Sequence, residues 1–322
     1  VRVTDRRTSE MAVYLVLTAA MALFGSAFAA SKVLADTLPP EVAAALRFGC
    51  GALVLLVWLG ATGRGFGLPA RDWPRILVAG ALGVFAFNWL FFWGLHQSPS
   101  VDGSILVPVL SPVLTTAVSA LFLRDTVSPA RITGLTVGVG GALLFLIGVG
   151  GPANGRRLIG DLAYVAGAGV WAAYTLLGRR ILAGIDPLKA TALTTSAGSL
   201  MLLLAAGPAL ASVAWSGLSA GIWLTIAYLG VFPTAIAYVA YFHGIRSIGP
   251  ARTSIMMLLV PVFGASGSLI VLHESLTPVQ YAGGALMLGG ALLAVARDAF
   301  AAPARRPRRG REPIPLKRPL RR

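Results

Sequence analysis

Charge is what this chain has least of. Asp, Glu, Lys and Arg make up only 12% of its 322 residues, against 56% hydrophobic, and that is too little charge to cover a soluble globule of this size. Cysteine is nearly absent as well. The single Cys50 excludes a disulfide within the chain and any cysteine-based metal site. Twelve acids are present, Asp5, Glu10, Asp36, Glu41, Asp72, Asp102, Asp125, Asp161, Asp186, Glu274, Asp298 and Glu312. All of them fall in loops, tails or near the ends of apolar runs, so no buried carboxylate is expected as a proton carrier. Long polar connectors are missing too, which leaves no room for a soluble domain and puts function within the membrane. Gly63-Arg64-Gly65-Phe66-Gly67 lacks the Lys-Ser/Thr of a Walker motif, so direct ATP hydrolysis is not expected. No acid, His or metal-ligand cluster marks a membrane face, so neither an enzyme nor a metal or cofactor site is expected.

Long apolar runs take the place of all this. Runs of about 20 residues, enough to cross a hydrocarbon core as a helix, lie at 12–34, 41–61, 75–95, 103–123, 130–150, 160–182, 188–207, 218–242, 251–272 and 278–296. The chain reads as an all-α polytopic membrane protein with ten transmembrane helices. Arg2, Arg6 and Arg7 followed by an apolar run ending in Ala27-Phe28-Ala29 imitate a signal peptide. The run is long enough to span, however, and its far end is echoed later in the chain.

Of the 27 basic residues, Arg47 lies within a span, 23 fall on the side that holds both ends of the chain and only Lys32, Arg156 and Arg157 on the other, which predicts cytoplasmic termini in a bacterial cell membrane. The net charge of +15 comes largely from the tail, where Arg305, Arg306, Arg308, Arg309, Arg311, Lys317, Arg318, Arg321 and Arg322 lie among prolines. Such a segment suits a disordered anchor on anionic lipid rather than a nucleic-acid contact.

The chain repeats itself. Leu82-Gly83-Val84-Phe85 returns as Leu229-Gly230-Val231-Phe232, an offset of 147 that also pairs Lys32 with Arg179 and Pro40 with Pro187. Farther on the offset is 149, pairing Pro112, Asp125, Pro129 and Gly141 with Pro261, Glu274, Pro278 and Gly290. Five spans per unit is an odd number, so the second unit enters the bilayer from the opposite side, and the two five-helix repeats are inverted. The organisation read from this is an N-terminus at 1–11, a first repeat at 12–150, a linker at 151–159, a second repeat at 160–296 and a basic tail at 297–322. Inverted repeats point to a secondary carrier working by alternating access. A channel and a polytopic enzyme such as a lipid-group transferase are the other classes this architecture admits. Pro112 and Pro261, with Pro108, are expected to kink the fourth and ninth spans around a cavity.

Certain stretches resemble a known family. They are FGSAFAASK at 24–32, Arg47-Phe48, SPVLTTAVSALFLRDT at 111–126 and VPVFGASGSLIVLHES at 260–275, the last two sharing a spacing of 13 from Pro to acid. Together with ten spans and the duplication, the chain resembles the EamA-type members of the drug/metabolite transporter superfamily over residues 12–296. Phe24 stands where that family usually has Trp, and Asp125 where it usually has Glu. The resemblance implies export or exchange of a small metabolite, such as an amino acid or drug-like solute, through a cavity lined by spans 3, 4, 8 and 9 with help from spans 1 and 6.

Candidate substrate-binding residues follow from their chemistry. Arg47 lies deep enough for its guanidinium to hold a substrate carboxylate, or to snorkel to the interface. Thr234, Tyr238 and Tyr241 share one face of span 8, Trp171 and Tyr174 do so on span 6, and Asn88, Trp89 and Phe92 mark span 3. Such faces suit a partly apolar or cationic solute, although aromatics also form interfacial belts. Ser104, Ser111 and Thr253 offer hydroxyls to substrate or to helix carbonyls. His96 and His243 are equivalents at the 147 offset and are candidates for proton coupling, one near each mouth. The partners expected are the small-molecule substrate and the bilayer, with a homodimer left open.

Overall fold

In the computed structural model, residues 2–63, 65–123, 129–149, 155–182, 184–248, 253 and 256–301 are described, and all regular structure among them is helical. Ten helical rods follow in order. They are α1 (Arg2–Thr37), α2 (Pro40–Ala61), α3 (Trp73–Gly80, continuing through Ala81–Ala86 into Phe87–Gln97), α4 (Ser100–Leu123), α5 (Pro129–Ile147), α6 (Gly155–Ile181), α7 (Pro187–Leu210), α8 (Ala220–Leu229, through Gly230–Ile236 into Ala237–Ile248), α9 (Leu259–Val271) and α10 (Pro278–Ala301). Among the described residues, five helices are long and apolar enough to cross a membrane, and three shorter apolar ones at 100–115, 132–147 and 259–271 accompany them.

The repeated prolines explain where four of these rods begin. Pro40, Pro129, Pro187 and Pro278 each open a helix, where a missing N–H costs nothing because the first turn has no acceptor for it. Asp186 adds a side-chain cap before α7, accepting from the backbone N–H of Leu188 and Lys189 at 3.1 and 3.2 Å. Pro261 sits in the first turn of α9. The chain is helical at Thr253 and Met256, turns at Met257–Leu258 and resumes as α9, so the helical path is broken four residues before the proline, where its ring meets the carbonyl of residue i−4. Pro108 and Pro112 lie inside α4 without such a break.

The most literal repeat in the sequence has a structural counterpart. Leu82-Gly83-Val84-Phe85 lies in a π-helical turn at Ala81–Ala86, and Gly230-Val231-Phe232 lies in another at Gly230–Ile236. π-helical turns inside α-helices are uncommon, and this one occurs at the same place in both repeats.

The repeats interlock rather than sit side by side. Helices α1 and α2 of the first repeat pack on α8 and α9 of the second, while α6 and α7 pack on α3 and α4, and the two final helices, α5 and α10, pack on each other. Glycines set the closest approaches. A Cβ added at Gly290 would lie 2.4 Å from Gly138 N, and one at Gly141 would lie 2.6 Å from Met287 N. Gly289 has nothing within 4 Å, so it is not among the packing positions. Gly51 meets Thr234 in α8, and its repeat partner Gly198 meets Gly80 and Val84 in α3, so the same contact is built twice.

Candidate functional site

The residues singled out from sequence divide between two places along the bundle. The first is a cluster of side chains where α1, α2, α3, α6 and α8 meet, the substrate chamber of the reading proposed below. Arg47 projects from α2, its Nη1 donating to Ser31 Oγ on α1 at 2.8 Å. Its guanidinium carbon lies 4.9 Å from the ring centre of Phe48, 6.0 Å from Phe91 and 5.9 Å from Phe92, distances at which a cation is drawn to an aromatic face. Arg47 Nε is buried and has no hydrogen-bond partner. Such an atom is costly in a dry site, which marks this guanidinium as a candidate for a further partner.

From the other repeat, Tyr238 on α8 comes within electrostatic reach of Arg47, Tyr174 and Tyr241. Phe24 on α1 meets Tyr238 edge-on at 5.3 Å and Tyr241 at 6.4 Å. Trp171 and Tyr174 pack together at 5.3 Å on α6, with Trp171 4.9 Å from Phe87. Gly83 makes room for Tyr174, since a Cβ there would come within 2.6 Å of its ring.

Other expected ligands serve the backbone instead. Asn88 is buried and donates to Val84 O at 2.8 Å, and Thr234 donates to Leu229 O at 2.8 Å, each satisfying a carbonyl in or beside a π-helical turn. Ser104 and Ser111 donate to Val101 O and Val107 O within their own helix. Thr253 is fully buried. Phe92 is buried beneath Arg47, whereas Trp89 is exposed with Trp93 on the other face of α3 and does not enter the chamber.

The second place is the distal end of the bundle, away from the start of α1. A cleft of about 390 Å³ opens there between Lys32, Asp36, His96, Gln97, Ser98, Arg156 and Glu274. Lys32 Nζ donates to Asp36 Oδ1 and to Leu95 O, both at 2.7 Å. His96 Nδ1 lies 3.1 Å from Ala35 O. His243 is on α8 toward the opposite end, its Nε2 3.4 Å from Ser247 Oγ.

Glu274 has a specific task here. Its carboxylate accepts from Ser100 N, Ser100 Oγ and Val101 N at 2.9, 2.9 and 2.8 Å, capping α4 of the first repeat from the second, where a negative charge complements the helix dipole. His273 adopts φ 54°, a left-handed conformation uncommon for a side chain other than glycine, in the turn that presents Glu274. Asp125, its repeat partner, lies outside the described residues.

One expectation is overturned behind this cleft. Asp102 and Asp161 are both fully buried, so the chain does contain buried carboxylates. Arg157 donates to Asp102 Oδ2 and Oδ1 at 2.6 and 2.8 Å. Burial works to lower the pKa of Arg157, but the hydrogen bonds and charge of Asp102, aided by Asp161 and Glu274, outweigh it and raise the value, so the guanidinium stays charged. The sequence places these acids near span ends, which is correct, but nearness to an end does not imply contact with water. Arg157 and Asp161 are four apart at the start of one helix, but that spacing was no guide, since Arg157 pairs with Asp102 on α4 instead.

Comparison with known proteins agrees with this architecture. A crystallographically determined chain superposes with a TM-score of 0.63 at 24% identity, covering 88% of this chain and 98% of its own, which establishes the fold. An uncharacterized transporter of Bacillus subtilis, YyaM, is 30% identical over 289 residues, or 88% of this chain and 93% of that protein. The aromatic amino acid exporter YddG of Ancylobacter novellus is 26% identical over 289 residues, covering 84% and 93% of the two chains. The EamA-like transporter family matches twice, over residues 11–147 and 158–296, and two interlocked copies of a five-helix unit are what those matches describe. This chain is a membrane transporter of small metabolites and belongs to the EamA-like transporter family.

Proposed function

We propose that this transporter exports an amino acid bearing an aromatic or other large apolar side chain, by alternating access between its two inverted repeats. The observation that carries this reading is the buried Nε of Arg47, without a partner, on a guanidinium that lies over three aromatic rings. The substrate carboxylate pairs with that free edge. Its side chain lies against Phe24, Trp171, Tyr174, Tyr238 and Tyr241, where ring contacts add affinity and hydroxyls fix orientation. The likeness to the aromatic amino acid exporter of Ancylobacter novellus supports the same class of substrate. The distribution of basic residues supports a cytoplasmic membrane location with both termini inside, and the basic tail rests on anionic lipid.

Counterflow in proteoliposomes tests the reading. Vesicles preloaded with unlabelled phenylalanine or tryptophan are expected to take up the labelled amino acid with saturable kinetics. No exchange of any aromatic or branched-chain amino acid, while solutes of another class raise the melting temperature, would refute it.

A further inference from the structure

The carboxyl pair at the distal end has a feature that the substrate chamber does not explain. Asp102 is fully served, holding both Arg157 bonds and a third from Gln280 Nε2 at 3.3 Å. Asp161 is not. Its Oδ1 lies 2.5 Å from Ser98 Oγ, and its buried Oδ2 meets no donor. Ser98 Oγ also lies 3.1 Å from Asp102 Oδ2. A serine hydroxyl has one hydrogen to donate, so with both acids ionised one of these two oxygen–oxygen contacts contains no hydrogen.

We propose that Asp161 is a proton-binding site, its protonated Oδ1 donating to Ser98 Oγ, which in turn donates to Asp102 Oδ2. One added proton gives every contact in the chain a hydrogen. It also removes a buried like-charge pair, since Arg157 suffices to balance Asp102 but not both acids. The charged groups acting on Asp161 are Asp102 on α4 and Arg157 on its own helix, with Tyr164 on the same helix also within electrostatic reach, while Glu274, from the segment before α10, acts on Arg157 and Tyr164. Glu274 is already held by three donors of α4. Ser98 lines the distal cleft, which gives the proton a path from solution.

Ser98 and Asp102 belong to the first repeat and Asp161 to the second. Opening this end parts them and strips the proton of its partners. The closed end therefore binds the proton more tightly, so it is favoured at low pH and lost as pH rises. This consequence rests on the alternating-access reading above, whereas the site itself does not.

Two measurements on the full-length protein test the proposal. Infrared titration should show a protonated-carboxyl C=O band that disappears above about pH 5, beyond the ordinary carboxyl range, and that is missing in Asp161→Asn. No such band in the wild type, or a band that survives Asp161→Asn, overturns the proposal. Should that variant not fold, the wild-type titration decides alone. Labelling of Ser104→Cys in a Cys50→Ala background, with an impermeant thiol reagent, reports opening, because Ser104 is fully buried one turn below the network. Labelling should show a pH step that is lost when Asp161→Asn is added. A titrating band without the labelling step supports the proton site and refutes alternating access at this end. A labelling rate set by sodium at fixed pH overturns the proposal in favour of a metal cation.

Discussion

Replacing Arg47 with Gln separates a binding role from a packing one, and the expected size follows from the geometry. Nη1 is engaged by Ser31 at 2.8 Å, while Nε has no partner, so a bound carboxylate gains Nε and one further N–H. Charge-assisted hydrogen bonds contribute about 1.5 kcal/mol each at the low end of their range. Two of them correspond to about 3 kcal/mol, or roughly 150-fold in Kd. Arg47→Lys retains a point charge but not the fork, and should lose roughly tenfold. The assay is calorimetric binding to purified protein of an aromatic amino acid and of the matching amine without its carboxylate, each against wild type and variant. The loss should fall on the amino acid and leave the amine nearly unchanged. Gln also loses the aromatic contacts of the guanidinium, so a lowered Tm is expected in its own right and does not bear on the argument. An equal loss for both ligands would show that Arg47 only supports the helices around it.

Three further outcomes follow from specific contacts. Gly290→Val drives a side chain into the backbone of Gly138, 2.4 Å from the position of its Cβ, and should cost about 3 kcal/mol of stability. Gly289→Val, with nothing within 4 Å, should leave Tm unchanged, so similar melting curves for the two would refute the packing argument. Asn88→Leu removes the side-chain donor to Val84 O, leaving that carbonyl only the Phe87 N–H at the end of the π-helical turn, and should cost about 1 kcal/mol, measurable as a lower denaturation midpoint. Deleting residues 303–322 should leave counterflow intact in well-inserted protein, and complete loss of transport would show that the tail does more than anchor.

Helices and repeats were legible in the sequence because they depend on local rules. Apolar length marks a span, and an odd number of spans per repeat dictates inversion. Pro40, Pro129, Pro187 and Pro278 are readable as starts because a helix tolerates proline there. The difference between Pro112, inside a continuous helix, and Pro261, just after a break, was not legible, because a proline in an apolar run looks the same in both places. Arg47 was legible since a guanidinium is rare at that depth. The roles of Asn88 and Thr234 were not, since whether a polar side chain serves substrate or backbone depends on which carbonyls a π-helical turn frees. Burial of Asp102 and Asp161 was hidden for a different reason. Sequence gives position along a span, while burial at a helix end depends on what the other repeat places over it.

The interlocking of the repeats also joins the chamber to the distal carboxyls. Arg47 lies over Phe91 at 6.0 Å, and the Phe91 ring is 6.1 Å from that of Tyr164. Tyr164 is fully buried in a slot with no room for a Cβ at Gly94 or Gly103, and its hydroxyl donates to Pro99 O at 3.3 Å. Pro99 adjoins Ser98, which holds the two acids together. Every step is a contact between rigid helical positions, and the slot leaves Tyr164 no freedom to absorb a shift of α3. A carboxylate that draws Arg47 toward itself and away from Phe91 thus acts on the same tyrosine that seats the α3–α4 turn. Coupling requires a two-state element that both sites bias, and the α3–α4 turn, held by Tyr164 on one side and by the Ser98 hydroxyl on the other, is the place to test for it: Tyr164→Phe should shift the pH dependence of labelling at Ser104→Cys, and an unchanged profile would show that the two sites are independent.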